Sequence, residues 1–205
     1  MSSRIMNRSM KRLFFAALLV FVAFPGASQS TSNEIRVMLE ERDASIKALL
    51  GPEGDVSEGQ RQELQHLING VINFREMGKQ ALGPFWKDLT PEQRDGFVRV
   101  FSEIVRHQSL SDLDVYRASV TYDAIAVDGD SARVTTTTIY DEIPVTVEYD
   151  LLRTGGEWTA RDIILDDVST VGGYSRSFQT VIRKRGFDSL MNSLNKRLDS
   201  IRSES

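Results

Sequence analysis

Cysteine is absent from all 205 residues, which removes disulfides, thiolate metal sites and a lipidated N-terminal cysteine together. Histidine is nearly absent: His66 and His107 lie far apart, and neither has a carboxylate at metal-ligand spacing. A metal site or a histidine-based catalytic triad has little to build on. No glycine-rich loop has the strand-to-helix setting of a nucleotide site, because Gly155-Gly156 falls between two strand-like runs. An excess of positive charge is missing as well. The chain has 25 Lys and Arg against 29 Asp and Glu, a formal net charge of −4. Such a chain binds phosphate backbones and bare anionic membrane poorly, so nucleic acid is not an expected partner.

Long apolar runs are equally scarce. The one that stands out is Leu13 to Phe24, preceded by Arg4, Arg8, Lys11 and Arg12 and followed by Pro25-Gly26-Ala27-Ser28. A basic start, a short apolar stretch and small residues at the cut are the order of an export signal. Twelve residues span only ~18 Å as a helix, short of a ~30 Å hydrocarbon core, which disfavours an uncleaved anchor. We therefore expect a cleavable signal over 1–27, export of the mature chain and no stable membrane insertion. Losing those four basic residues moves the formal net charge from −4 to −8.

What is present is ordinary for one soluble domain: 40% apolar and 26% charged residues. Its clearest stretch runs from Ile143 to Leu165. Val145, Val147, Tyr149 and Leu151 alternate with Thr146, Glu148 and Asp150, the period of a half-buried strand. Thr154-Gly155-Gly156-Glu157 supplies a turn, and a second strand begins at Trp158. Simple alternation places Trp158, Ala160 and Ile164 on the face of Val147 and Tyr149, with Thr159 and Arg161 opposite. Two earlier strands, 120–127 and 132–140 around Asp128-Gly129-Asp130, complete a four-stranded antiparallel meander.

Helices are expected on both sides of it. Asn33 caps a helix over 34–50 with Ile35, Met38, Leu39, Ile46 and Leu49 on one stripe. A second starts near Glu58 and carries Leu64, Leu67, Ile68, Val71 and Ile72. A short one follows with Phe74, Met77, Ala81 and Leu82. Thr90-Pro91-Glu92-Gln93 is a capping box for a helix reaching about His107, and a short helix covers 111–117. After a loop over 166–173, helices at 174–184 and 187–201 close the chain. The order is that of an α+β domain with helices on one sheet face.

Asp162 is the residue with most chemical interest. By parity it shares the face of Trp158 and Ala160, where a carboxylate can act as a base; at a strand end it can instead accept hydrogen bonds from the loop that follows. Asp166-Asp167 lacks the spacing of a calcium loop and reads as a solvated turn. The aromatic residues are core formers first, and the sequence leaves open whether sheet and helices close tightly or enclose an apolar cavity.

Two blocks narrow the choice. L-G-P-F-W-K-D-L-T-P-E-Q-R-D-G-F-V-R-V-F, from Leu82, and W-T-A-R-D-I-I-L-D-D-V-S-T-V-G-G-Y-S-R-S-F, from Trp158 to Phe178, occur in that order, followed by a closing R-G-F-D-S-L-M-N-S-L-N-K-R-L. The set resembles the MlaC family, the periplasmic phospholipid-binding component of the maintenance-of-lipid-asymmetry system, also called the toluene-tolerance family. This chain departs from the family pattern at Asp167, where glycine is usual, at Ser175, where arginine is usual, and at Ser109, where an aromatic is common. The resemblance implies a single domain over 33–201, a cone-shaped sheet of the nuclear-transport-factor-2-like or cystatin-like kind, and an apolar cavity for the acyl chains of a phospholipid.

It further implies a periplasmic address and a monomeric carrier that is not an enzyme and needs no cofactor. Its partners would be an inner-membrane ABC transporter complex and an outer-membrane lipoprotein complex. On that resemblance Trp86, Phe101, Val134, Val147, Tyr149, Trp158 and Ile164 line the cavity, and Val168, Val171, Tyr174 and Phe178 stand near its mouth. Three alternatives stay open: a hopanoid-related carrier of the same family, a small cone-fold enzyme using Asp162, and an exported interaction module with a filled core.

Overall fold

A computed structural model of the chain describes residues 25–52 and 54–204. Residues 1–24 of the expected export signal, with its basic start and apolar run, lie outside the described residues. The elements in order are α1 (Pro25–Leu50), α2 (Glu58–Asn69), α3 (Phe74–Leu82), α4 (Pro91–Ser109), β1 (Val120–Asp128), β2 (Ser131–Tyr140), β3 (Ile143–Thr154), β4 (Glu157–Leu165), β5 (Val168–Ser169), α5 (Thr170–Arg185) and α6 (Phe187–Glu204). The architecture is α+β, as expected, but the antiparallel meander has five strands in the order β1-β2-β3-β4-β5.

Two-residue turns make the meander. Asp141 and Glu142 join β2 to β3, and Asp166 and Asp167 join β4 to β5, all four with positive φ. That backbone matches the twist of adjoining antiparallel strands. Asp167, at φ 64°, sits where the left-handed region makes glycine the easier residue. The segment expected to be a loop over 166–173 is thus a turn, a two-residue strand and the first turn of α5. Ser169 caps that helix by accepting from the Gly172 N–H at 2.8 Å.

Cross-strand pairing defines two unlike faces. Val134 lies opposite Tyr149 and Thr136 opposite Val147, while Leu151 pairs with Ala132 on one side and Ala160 on the other. This apolar face is covered near β1 and β2 by Ile35 and Leu39 of α1 and by Val71. The reverse face is polar: Arg133 meets Glu148 at 2.7 Å, and Arg161 grips both oxygens of Asp150 at 3.0 Å. Helices on one face and charge on the other are what an antiparallel sheet permits.

Four expectations change. A register shift at Asp150/Leu151 leaves Arg161 as an extra residue, so Ile163 and not Ile164 stands across from Tyr149. Ile164 pairs with Glu148 and belongs to the other parity. Helix α1 is already formed at Pro25, the first described residue and well before Asn33, because nothing in Ala27 to Asn33 breaks it. Helix α2 ends at Asn69; Val71 to Asn73 leave it to hydrogen-bond β4, through Ala160 N–H to Val71 C=O at 2.7 Å and Asn73 N–H to Ala160 C=O at 2.8 Å. The short helix expected at 111–117 is a tighter 3-10 turn over Asp114–Arg117.

The remaining helices form a layer of their own. Phe97 and Phe101 stack at 5.5 Å, and Phe178 meets both rings edge-on. Helices α3 and α4 approach closely at Gly78, where a Cβ would stand 2.9 Å from the Phe97 ring. Glycine is needed there for contact, not for conformation.

Candidate functional site

Helical spacing builds a cavity inside the helix layer. Phe101, Ile104 and Gln108 recur on one face of α4; Gly173, Tyr174, Ser177, Phe178 and Val181 on one face of α5; Leu190, Ser193, Leu194 and Arg197 on one face of α6. Leu165 and Val168, at the end of the sheet, complete the wall. The volume of this open-mouthed cavity is about 680 Å³, within the ~300–1,000 Å³ typical of small-ligand pockets. Its lining interleaves apolar side chains with hydroxyl and amide groups, but apolar atoms make up most of the surface, so burial of hydrocarbon is the interaction it supplies best.

The rim is apolar as well. Leu165 and Val168 pair across the β4–β5 turn, and Val147 pairs with Leu165 from β3. Leu165 is 48% and Val168 62% exposed. Half-buried Val147 and Val145 continue this strip along β3 on the helix-covered face. Apolar side chains left open beside a cavity give hydrocarbon a continuous path inward.

Tyr174 spans the cavity between helices. Its ring meets Phe101 edge-on at 5.1 Å, and its hydroxyl donates to Gln108 Oε1 at 2.5 Å. Burial pushes the phenol's pKa up, and Arg197 close by partly offsets that rise. Asp162 is buried beneath the cavity's edge. It accepts from Ser169 Oγ at 2.5 Å, from Val171 N–H at 3.0 Å and from Ile163 N–H at 2.9 Å. The carboxylate thus ties β4 to the start of α5, the loop-bonding role open to it in the sequence. Among the described residues there is no group of three or more metal-ligating side chains.

Of the eleven residues expected at the site, Phe101, Val168, Tyr174 and Phe178 line this cavity. Val147 is across from rim residue Leu165, and Tyr149 is the next residue inward on that face. Val134 and Trp158 are buried in the core under α1, Trp158 with Arg153 5.8 Å from its ring. Trp86 is buried in the helix layer with Arg75 and Arg94 over its ring at 5.7 and 5.5 Å. Val171 is buried in the first turn of α5, and Ile164 is buried on the parity of Glu148.

Sequence reasoning missed Ile104, Val181, Leu190 and Leu194, although their helical stripes were visible, and it missed Arg197 altogether. Ser109, one of the departures from the family pattern, hydrogen-bonds Asn69 at the α2–α4 junction. Ser175, another, accepts from Gln179 Nε2 at 2.6 Å. Neither lines the cavity.

A second groove of about 490 Å³ lies between Pro52, Gly54, Arg117 and the β2–β3 turn. Its guanidinium is already taken by Asp114 and by the Leu50 and Gly54 carbonyls. It has no comparable apolar wall.

The model of the family described as MlaC protein matches residues 40–196. The chain belongs to the MlaC family. Among solved structures it resembles the phospholipid-binding protein of Ralstonia solanacearum, determined in complex with a phospholipid. The TM-score is 0.69 at 22% identity, over 83% of this chain and 98% of that one. The likeness is one of fold. In this MlaC-family chain the family match over residues 40–196 spans both sheet and helix layer and so includes most of the cavity walls. No helix among the described residues is long and apolar enough to cross a membrane.

Proposed function

We propose that this chain is a periplasmic phospholipid carrier. It holds acyl chain in the helix-layer cavity and moves lipid between an outer-membrane lipoprotein complex and an inner-membrane ABC transporter complex. The observation that carries the reading is the apolar cavity at the α4–α5–α6 junction with an open apolar rim, in a member of a family whose Ralstonia relative was solved holding a phospholipid. The cargo is the lipid itself, no cofactor takes part, and the carrier acts as a monomer.

The energetics suit such a task. Each methylene withdrawn from water contributes ~0.8 kcal/mol, so sixteen of them contribute ~13 kcal/mol before ordering costs are subtracted. A lipid held this way leaves for water slowly. Release therefore requires a partner that binds the opened state better than the closed one. The acidic surface of the exported chain keeps it from settling on anionic membrane between encounters.

The carrier is not an enzyme on this reading. Asp162 spends its carboxylate on three hydrogen bonds within the fold, which supports a structural role for it. The test is transfer of a fluorescent phospholipid between donor and acceptor vesicles by the delipidated protein. Uptake of one lipid per chain and delivery to the acceptor are expected. Failure to extract any lipid refutes the proposal.

A further inference from the structure

The described residues lining the cavity include one charged side chain, Arg197 on α6. Its setting is unusual for this chain, in which acids outnumber bases. None of the ion pairs among the described residues engages it. By contrast Arg117, at the other groove, is held by Asp114 and two backbone carbonyls. Arg197 is exposed, one helical turn along α6 from Ser193 and Leu194, so its stem continues the apolar stripe while its guanidinium stands at the water edge. Tyr174 and Gln108, hydrogen-bonded to each other, close the same part of the wall.

The start of α5 could have offered a rival anion site, since first-turn amides attract negative charge. It is already filled. Asp162 takes the Val171 N–H and Ser169 takes the Gly172 N–H. A second anion there would also meet the Asp162 carboxylate. The positive charge facing the cavity is therefore Arg197.

We propose that Arg197 holds the phosphodiester of the bound lipid at the mouth of the cavity, so that the carrier selects phosphate-bearing lipids over neutral lipids with the same chains. This rests on the carrier reading above and adds to it the group that reads the headgroup. A guanidinium suits the role because its planar fork of N–H donors matches two phosphate oxygens.

The experiment compares binding of labelled phosphatidylglycerol and of diacylglycerol with the same chains, each presented from cyclodextrin to the delipidated full chain. The parent should prefer phosphatidylglycerol by about tenfold, the scale of a charge-assisted hydrogen bond discounted for exposure. Arg197→Gln should lose most of that preference, Arg197→Glu all of it, and Arg197→Lys should keep part. Diacylglycerol binding should stay within about twofold throughout, and the parent's preference should shrink with added salt. The position is exposed, and unchanged melting curves check that these variants fold.

Phosphatidylglycerol bound equally by parent, Arg197→Gln and Arg197→Glu overturns the assignment while leaving the carrier reading intact. A parent that binds neither lipid overturns the carrier reading and this assignment with it. Inorganic phosphate at the lipid's concentration should not compete, having no chains to bury; if it displaces the lipid, Arg197 is a free-anion site and the assignment falls.

Discussion

Replacing Gly173 by phenylalanine should plug the cavity from within. Gly173 closes the first turn of α5 and lines the cavity, and a Cβ built on it meets no atom within 4 Å. Its backbone needs no left-handed conformation, so a side chain is free of strain there. Gly173→Ala should stabilise the protein by ~0.5–1 kcal/mol through helix propensity alone. Gly173→Phe keeps part of that gain and puts a ring where hydrocarbon would lie. If the ring displaces about four methylenes at ~0.8 kcal/mol each, the loss is ~3 kcal/mol, or about 200-fold in affinity. The alanine control displaces at most one methylene and should weaken binding no more than about fourfold. Thermal unfolding establishes that both variants fold, and titration of the delipidated proteins with labelled phospholipid gives the affinities. A folded Gly173→Phe protein that binds as tightly as its parent would show that the lipid lies elsewhere.

Asp162→Ala should destabilise the fold by ~3 kcal/mol, because the Ser169 hydroxyl and the Val171 and Ile163 amides lose their acceptor and one of those amides is buried. Denaturant unfolding measures it, and a loss below about 0.5 kcal/mol would contradict the tie drawn between β4 and α5. Val147→Asp puts a carboxylate across from Leu165 on the apolar approach to the cavity and should weaken phospholipid binding by about tenfold. The matched change Ala126→Asp, exposed on the opposite face beside Arg133, should leave binding alone. Equal effects from the two in the same titration would count against a directional rim.

The hairpin from β3 to β4 was legible because alternation at Val145, Val147, Tyr149 and Leu151 is a local property of the chain. The register shift at Asp150/Leu151 was not legible, since Arg161 gives no composition signal of a bulge and its pairing with Asp150 exists only across strands. One inserted residue moved Ile164 to the other parity. Strand β5 escaped notice for a different reason: two residues are too few to show a period, and only the paired positive-φ aspartates create it. Val71 and Ile72 fit the stripe of α2, yet the Val71 carbonyl and the Asn73 amide on either side of Ile72 are claimed by Ala160, a tertiary contact that outweighs helix propensity.

The candidate site was legible by element and not by wall. Phe101, Tyr174 and Phe178 fell on helices whose apolar stripes the spacing displays. Whether such stripes fill the space between helices or leave part of it open depends on three helix axes at once. Leu190 and Leu194 accordingly read as core until α6 was placed beside α4 and α5. Trp86, Val134 and Trp158 are apolar side chains of the same type that are buried in the hydrophobic clusters away from this cavity's lining.

The location of bound hydrocarbon tests the account most directly. A phospholipid with a photoactivatable group near the end of one acyl chain, loaded into the delipidated protein and irradiated, marks the residues that surround it. Adducts at Tyr174, Phe178, Leu190 and Leu194, read by peptide mass spectrometry, are the predicted result. Adducts confined to the sheet core around Val134, Leu151 and Trp158, with the helix layer unmarked, would contradict it.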